Sequence, residues 1–245
     1  MEIFAALSVG LLILAALVVS IRTFALWRRT RGLPELLLCL MLFSATVLGY
    51  PAMIATTRIP ASQMWPLHVL AQWLECFGIS CLLLFTLKVF RPSALWARLL
   101  VAAALLPLVG GGVAYLVEVT GANPRPAAEL LGINLLTSTP MAVAYFWTTL
   151  EALSYYRKLC LRLRIGLCDA MVCNRMLLWG LMTLAAGVAV LINLAAMLAG
   201  SFLSPPIVLV SSCLGIVLAS CLFLAFHPPD WYRGWLEQSA RPETA

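Results

Sequence analysis

Apolar residues run in blocks of about twenty, the length that crosses a bilayer as a helix. The blocks fall at residues 3–26, 36–55, 66–87, 96–116, 131–153, 170–198 and 207–226. Between them stand the residues that stop and restart helices. In Gly32-Leu33-Pro34-Glu35, proline suits a first turn and the acid meets the positive end of the dipole. Asp169 is placed to cap a helix that begins at Ala170, and Gly200–Pro206 gives a tight turn between the last two segments. Gly49-Tyr50-Pro51 predicts a kink or an interfacial end in segment 2, and Pro107 with Gly110-Gly111-Gly112 predicts a bent or irregular segment 4. Leu159, Leu161 and Leu163 alternate with Arg157, Lys158, Arg162 and Arg164, so helices 5 and 6 are expected to extend past the hydrocarbon. The pattern predicts an all-α integral membrane seven-helix bundle, residues 1–245 forming one domain.

Composition narrows the classes further. The chain is 63% hydrophobic and 11% charged, with a mean hydropathy of +0.99, which leaves no room for a separate soluble domain. A net charge of +6 would suggest nucleic acid in a soluble protein. Here the basic residues flank the spans, so anionic lipid headgroups are the expected partners and nucleic acid is not. Of the 16 lysines and arginines, all but Arg58 and Arg125 lie beside the loops after segments 1, 3, 5 and 7. The positive-inside rule then places the N-terminus outside and the C-terminus in the cytoplasm. The first segment ends in Trp27-Arg28-Arg29 without a small-residue cleavage site, so it is expected to be retained.

The chemistry candidates are few. Eight cysteines include no C-x-x-C, and the two histidines, His68 and His227, fall on opposite membrane faces, so no metal site is expected. Segment 7 has no lysine for a retinal Schiff base, and no hydrolase, P-loop or zincin motif occurs. No enzyme activity and no cofactor are expected. What remains is segment 3, where His68, Gln72 and Glu75 stand at i, i+4 and i+7 on one helical face. An acid at mid-depth is costly and normally faces a partner, a cavity or a ligand. Its alternative role is interhelical glue. Asn134 and Asn193, in the outer halves of segments 5 and 6, are candidates to join that pathway or to bridge helices. Arg22 and Glu151 lie at similar depth and are expected to form an ion pair. Arg157, Lys158, Arg162, Arg164, Asp169 and Arg175 form a candidate cytoplasmic output surface; the same residues also suit a lipid anchor.

Arg29-Thr30-Arg31-Gly32-Leu33-Pro34-Glu35, Leu48-Gly49-Tyr50-Pro51, and Glu151 with Tyr155-Tyr156-Arg157 resemble an uncharacterised family of bacterial seven-helix membrane proteins. Asn174-Arg175 before Leu178-Trp179-Gly180 belongs to the same pattern. The ending Pro228-Pro229-Asp230-Trp231-Tyr232-Arg233 is similar to the close of the seven-helix input regions of bacterial sensor kinases. The resemblance implies fold and membrane location only. With no kinase or cyclase output domain in the sequence, the expected function is receptor-like or sensory, through a separate cytoplasmic protein partner. The alternative is a small proton- or cation-coupled transporter or channel that uses the acid on helix 3.

Overall fold

The computed structural model describes residues 2–56, 59, 61–120, 131–201 and 204–239. Arg58 and Arg125 lie outside the described residues. The chain is all helical: α1 (Glu2–Thr30), α2 (Leu33–Thr56), α3 (Ala61–Phe90), α4 (Leu95–Thr120), α5 (Leu131–Arg164), α6 (Ala170–Leu198), α7 (Pro205–Phe226) and α8 (Asp230–Ser239). Six of them, α1 to α4 with α6 and α7, are long and apolar enough to cross a membrane, and the chain is an integral membrane protein. The 34-residue α5 is the exception, because Asn134, Thr137, Ser138, Thr139, Thr148, Thr149 and Glu151 dilute its apolar run.

Local sequence explains the helix limits. The α5 helix ends where Gly166 takes φ +71°, a left-handed conformation that costs a residue with a Cβ. There Leu167 N–H donates to Arg162 O at 2.9 Å and Gly166 N–H to Leu163 O at 3.0 Å, closing the last carbonyls. Three residues later the Asp169 carboxylate accepts from Met171 N–H at 2.9 Å and starts α6 at the residue its capping role predicts. The proline and glycines of α4 do not interrupt it, contrary to the irregularity expected there; it is helical from Leu95 to Thr120. The irregularity sits in α2, where Leu42–Gly49 is wound as a π-helix and Tyr50 N–H reaches back five residues to Ala45 O. Pro51 follows immediately and brings no N–H, so the preceding turn loses a donor in any helical register.

Each long helix packs on its neighbours in sequence, and α1 closes against α7, so the seven form a ring. The α3 and α5 helices also touch, which puts α4 outside their seam. Lipid tails are as apolar as leucine, so apolar contact alone does little to hold helices together in a bilayer. Close approach and interhelical hydrogen bonds serve instead. Thr86 of α3 meets Thr148 of α5 at 2.7 Å, and Thr149 meets Thr183 of α6 at 2.9 Å, all four buried. Ser8 of α1 donates to Ser212 O of α7 at 2.7 Å. Such bonds are worth about 1 kcal/mol each in a membrane. The amphipathic α8 leaves Trp231 and Trp235 exposed while Tyr232 Oη donates to Asn174 Oδ1 of α6 at 3.2 Å.

Candidate functional site

The face of α3 that bears His68, Gln72 and Glu75 looks into the ring. His68 stacks on Tyr115 of α4, with ring centroids 5.1 Å apart, and Trp65 stands edge-on to it at 6.4 Å. Among the described residues, neither His68 Nδ1 nor Tyr115 Oη has a hydrogen-bond partner, although both atoms are buried. Gln72 is buried and donates only a long contact to Cys76 Sγ, 3.7 Å away on its own helix. Unmade hydrogen bonds of this kind are costly in a low-dielectric interior, and two of those among the described residues meet here, between α3 and α4.

Glu75 packs directly on the π-helical segment. A Cβ placed on Gly49 would lie 3.3 Å from Glu75 Cγ, so the acid's stem fills the space that glycine leaves. One turn further along α3, Gly78 lies against the same segment: a Cβ there would meet Ala45 Cβ at 2.6 Å and Ser44 Oγ at 3.0 Å. The two helices can approach this closely only because both contact residues lack side chains. Tyr50 of α2, Tyr145 of α5 and Cys76 are near enough for the charge of Glu75 to act on them. Among the described residues, its carboxylate has neither a hydrogen bond nor an ion pair. An acid without a partner thus stands against a wide helical turn whose backbone bonding is already disturbed by Pro51.

Other candidate residues go elsewhere. Asn193 accepts from Ser211 Oγ of α7 at 3.4 Å and so ties α6 to α7. Asn134 is half-buried near the start of α5. The expected pairing of Arg22 with Glu151 does not form. Glu151 is buried and accepts from Arg91 Nε at 2.8 Å and from Trp147 Nε1 at 3.3 Å. Arg22 instead donates to Phe226 O and lies 3.1 Å from His227 Nδ1. The cause is the ring order: α1 has α2 and α7 as neighbours, while α3 brings Arg91 to α5. The hydrogen bond and charge of Glu151 hold the Arg91 guanidinium protonated to higher pH than usual.

At the end of the α5–α6 hairpin, Arg157, Lys158, Arg162, Arg164 and Asp169 are exposed. Arg175 is not part of that surface. It is half-buried, donates through Nε to Ala225 O of α7 at 3.0 Å and lies over the Phe226 ring at 6.0 Å. Cys160 and Cys173 bring their sulfurs to 3.2 Å across the hairpin. Tyr156 beside them has its phenol pushed up to about 12 by a hydrogen bond with Cys160 and by burial. Among the described residues, no group of three or more His, Cys, Asp and Glu could hold a metal ion.

Sequence reasoning found the acid on α3 but missed its surroundings. Tyr115, the π-helical segment and the two threonine pairs were not singled out; the one visible signal was Gly49-Tyr50-Pro51, which marked the irregularity without its form. No family model matches the chain, and no curated protein or solved structure is similar to it. What the protein does must therefore be argued from its own side chains.

Proposed function

We propose that the protein is a receptor-like, sensory membrane module, with α3 as its input and the α5–α6 hairpin as its output to a separate cytoplasmic protein. The observation that carries this is the unpaired Glu75, held on the helix whose far end is bonded to α5. A stimulus that binds, protonates or displaces Glu75 changes its contact with the π-helical segment, an element able to re-register by one residue. Movement of α3 then reaches α5 through Thr86–Thr148 and Arg91–Glu151, and α6 through Thr149–Thr183. The hairpin is continuous helix from the ring to Arg164, so small rotations inside become displacements at its tip. In this proposal the hairpin is cytoplasmic and the His68 end faces outward, as the placement of lysine and arginine favours.

The test uses the trypsin sites at Arg157, Lys158, Arg162 and Arg164. Inside-out vesicles should be cut there and right-side-out vesicles should not. Glu75→Gln should change the cutting rate several-fold with the fold intact. A transporter would give the opposite result: in proteoliposomes a proton or cation flux that Glu75→Gln abolishes, with the hairpin cut at the same rate in both proteins.

A further inference from the structure

A second polar cluster lies away from α3, around the C-terminal end of α7. Two arginines from different helices reach it: Arg175 of α6 donates to Ala225 O, and Arg22 of α1 donates to Phe226 O. The guanidiniums are close enough for the charge of Arg22 to act on Arg175. A helix C-terminus offers about half a negative charge, which offsets a quarter of this pair. The carboxylate within range, Asp169, is already occupied in capping α6. Among the described residues, neither arginine makes an ion pair. A guanidinium has five N–H donors, and capping uses only a minority of them.

Arg22, Arg175 and the Phe226 ring are shared by two adjoining cavities. The smaller, about 220 Å³, is also lined by Arg233 of α8. The larger, about 440 Å³, runs along Ala25 and Leu26 of α1 and is also lined by Arg29. Four arginines and the capping carboxylate of Asp169 therefore border a space that is polar on one side and apolar on the other.

We propose that this cleft is a binding site for an anionic phospholipid, with its phosphate held between Arg22 and Arg175 and an acyl chain along Ala25, Leu26 and Phe226. Guanidinium and phosphate match in charge and in fork geometry. A free phosphate has the same chemistry but would leave the apolar cavity unfilled. The exposed Trp231 and Trp235 on the amphipathic α8 beside the cleft suit headgroup depth, where such lipids present their phosphates. This site is independent of Glu75 and of the sensory proposal.

Native mass spectrometry of the full chain in mild detergent, with phosphatidylglycerol, phosphatidylcholine or inorganic phosphate added, tests it. Phosphatidylglycerol should be retained in preference to phosphatidylcholine, and inorganic phosphate should not displace it. Arg29→Gln with Arg233→Gln, two residues without a bond to α7, should lower that retention roughly twenty-five-fold at about fivefold per arginine, with the melting temperature unchanged. Arg22→Gln with Arg175→Gln should lower it further. Equal retention of the two lipids, or retention unaffected by the Arg29 and Arg233 changes, would overturn the proposal. Displacement by inorganic phosphate at matched concentration would overturn the lipid assignment and give the cleft to a soluble anion.

Discussion

Glu75 and Glu151 are acids on α3 and α5, the two helices that touch across the ring, yet they are held in opposite ways. Glu151 has a guanidinium at 2.8 Å and an indole N–H at 3.3 Å, and sits where α3 leaves the ring. Glu75 has no such partner among the described residues and faces glycine and a π-helical turn. Glu151 is buried against a partly exposed Arg91, and removing it leaves the Trp147 indole N–H without its acceptor, whereas removing an unsatisfied acid costs nothing in lost bonds. One acid is bonded to two side chains and the other to none among the described residues, and the sensory proposal rests on the second.

Substitutions at the two acids and at the contacts around them separate these roles. The largest effect is expected from Gly78→Leu, which forces a side chain into the space now closed by Ala45 and Ser44. Overpacking there should cost about 3 kcal/mol in a denaturant titration in micelles; a tolerated leucine would mean the α2–α3 seam is loose. Next is Glu151→Leu, which leaves the buried Trp147 Nε1 without an acceptor and Arg91 without its carboxylate. A loss of about 1–2 kcal/mol is expected by the same titration. Thr148→Val removes the bond to Thr86, but Thr86 keeps its bond to Leu82 O at 2.9 Å, so the loss should be about 0.6 kcal/mol. Glu75→Leu is last and of opposite sign: stability unchanged or slightly raised. A loss as large as that of Glu151→Leu would make Glu75 a structural acid too and remove the contrast.

How much of this was legible in the sequence follows from what each residue depends on. The limits of α6 were readable because Asp169 and Gly200 act locally: one caps through Met171 N–H, and the other takes φ +64° at the end. Glu75 was readable because a lone acid in an apolar run is conspicuous at any rotation of the helix. The partner of Glu151 was not. Depth along the membrane normal can be counted in residues, but Arg22 and Arg91 differ in their place around the ring, which only packing sets. Arg175 was misassigned for the same reason: its position near the hairpin suggested an output surface, while its side chain turns to the end of α7. The π-helical stretch Leu42–Gly49 runs into Pro51 and packs on Gly78, and the second of these lies on another helix. The α8 helix was not among the expected elements because its short amphipathic run carries no membrane-span signal.

Hydrogen–deuterium exchange, comparing the wild-type protein with Glu75→Gln in the same nanodiscs, reads both ends of the proposed coupling at once. Altered exchange is expected in the π-helical stretch 42–49 and also at the hairpin, residues 157–169, with the α1–α7 contact unchanged. A change confined to 42–49, or none at all, would contradict the coupling, since Glu75 would then have no connection to the surface where a partner could read it.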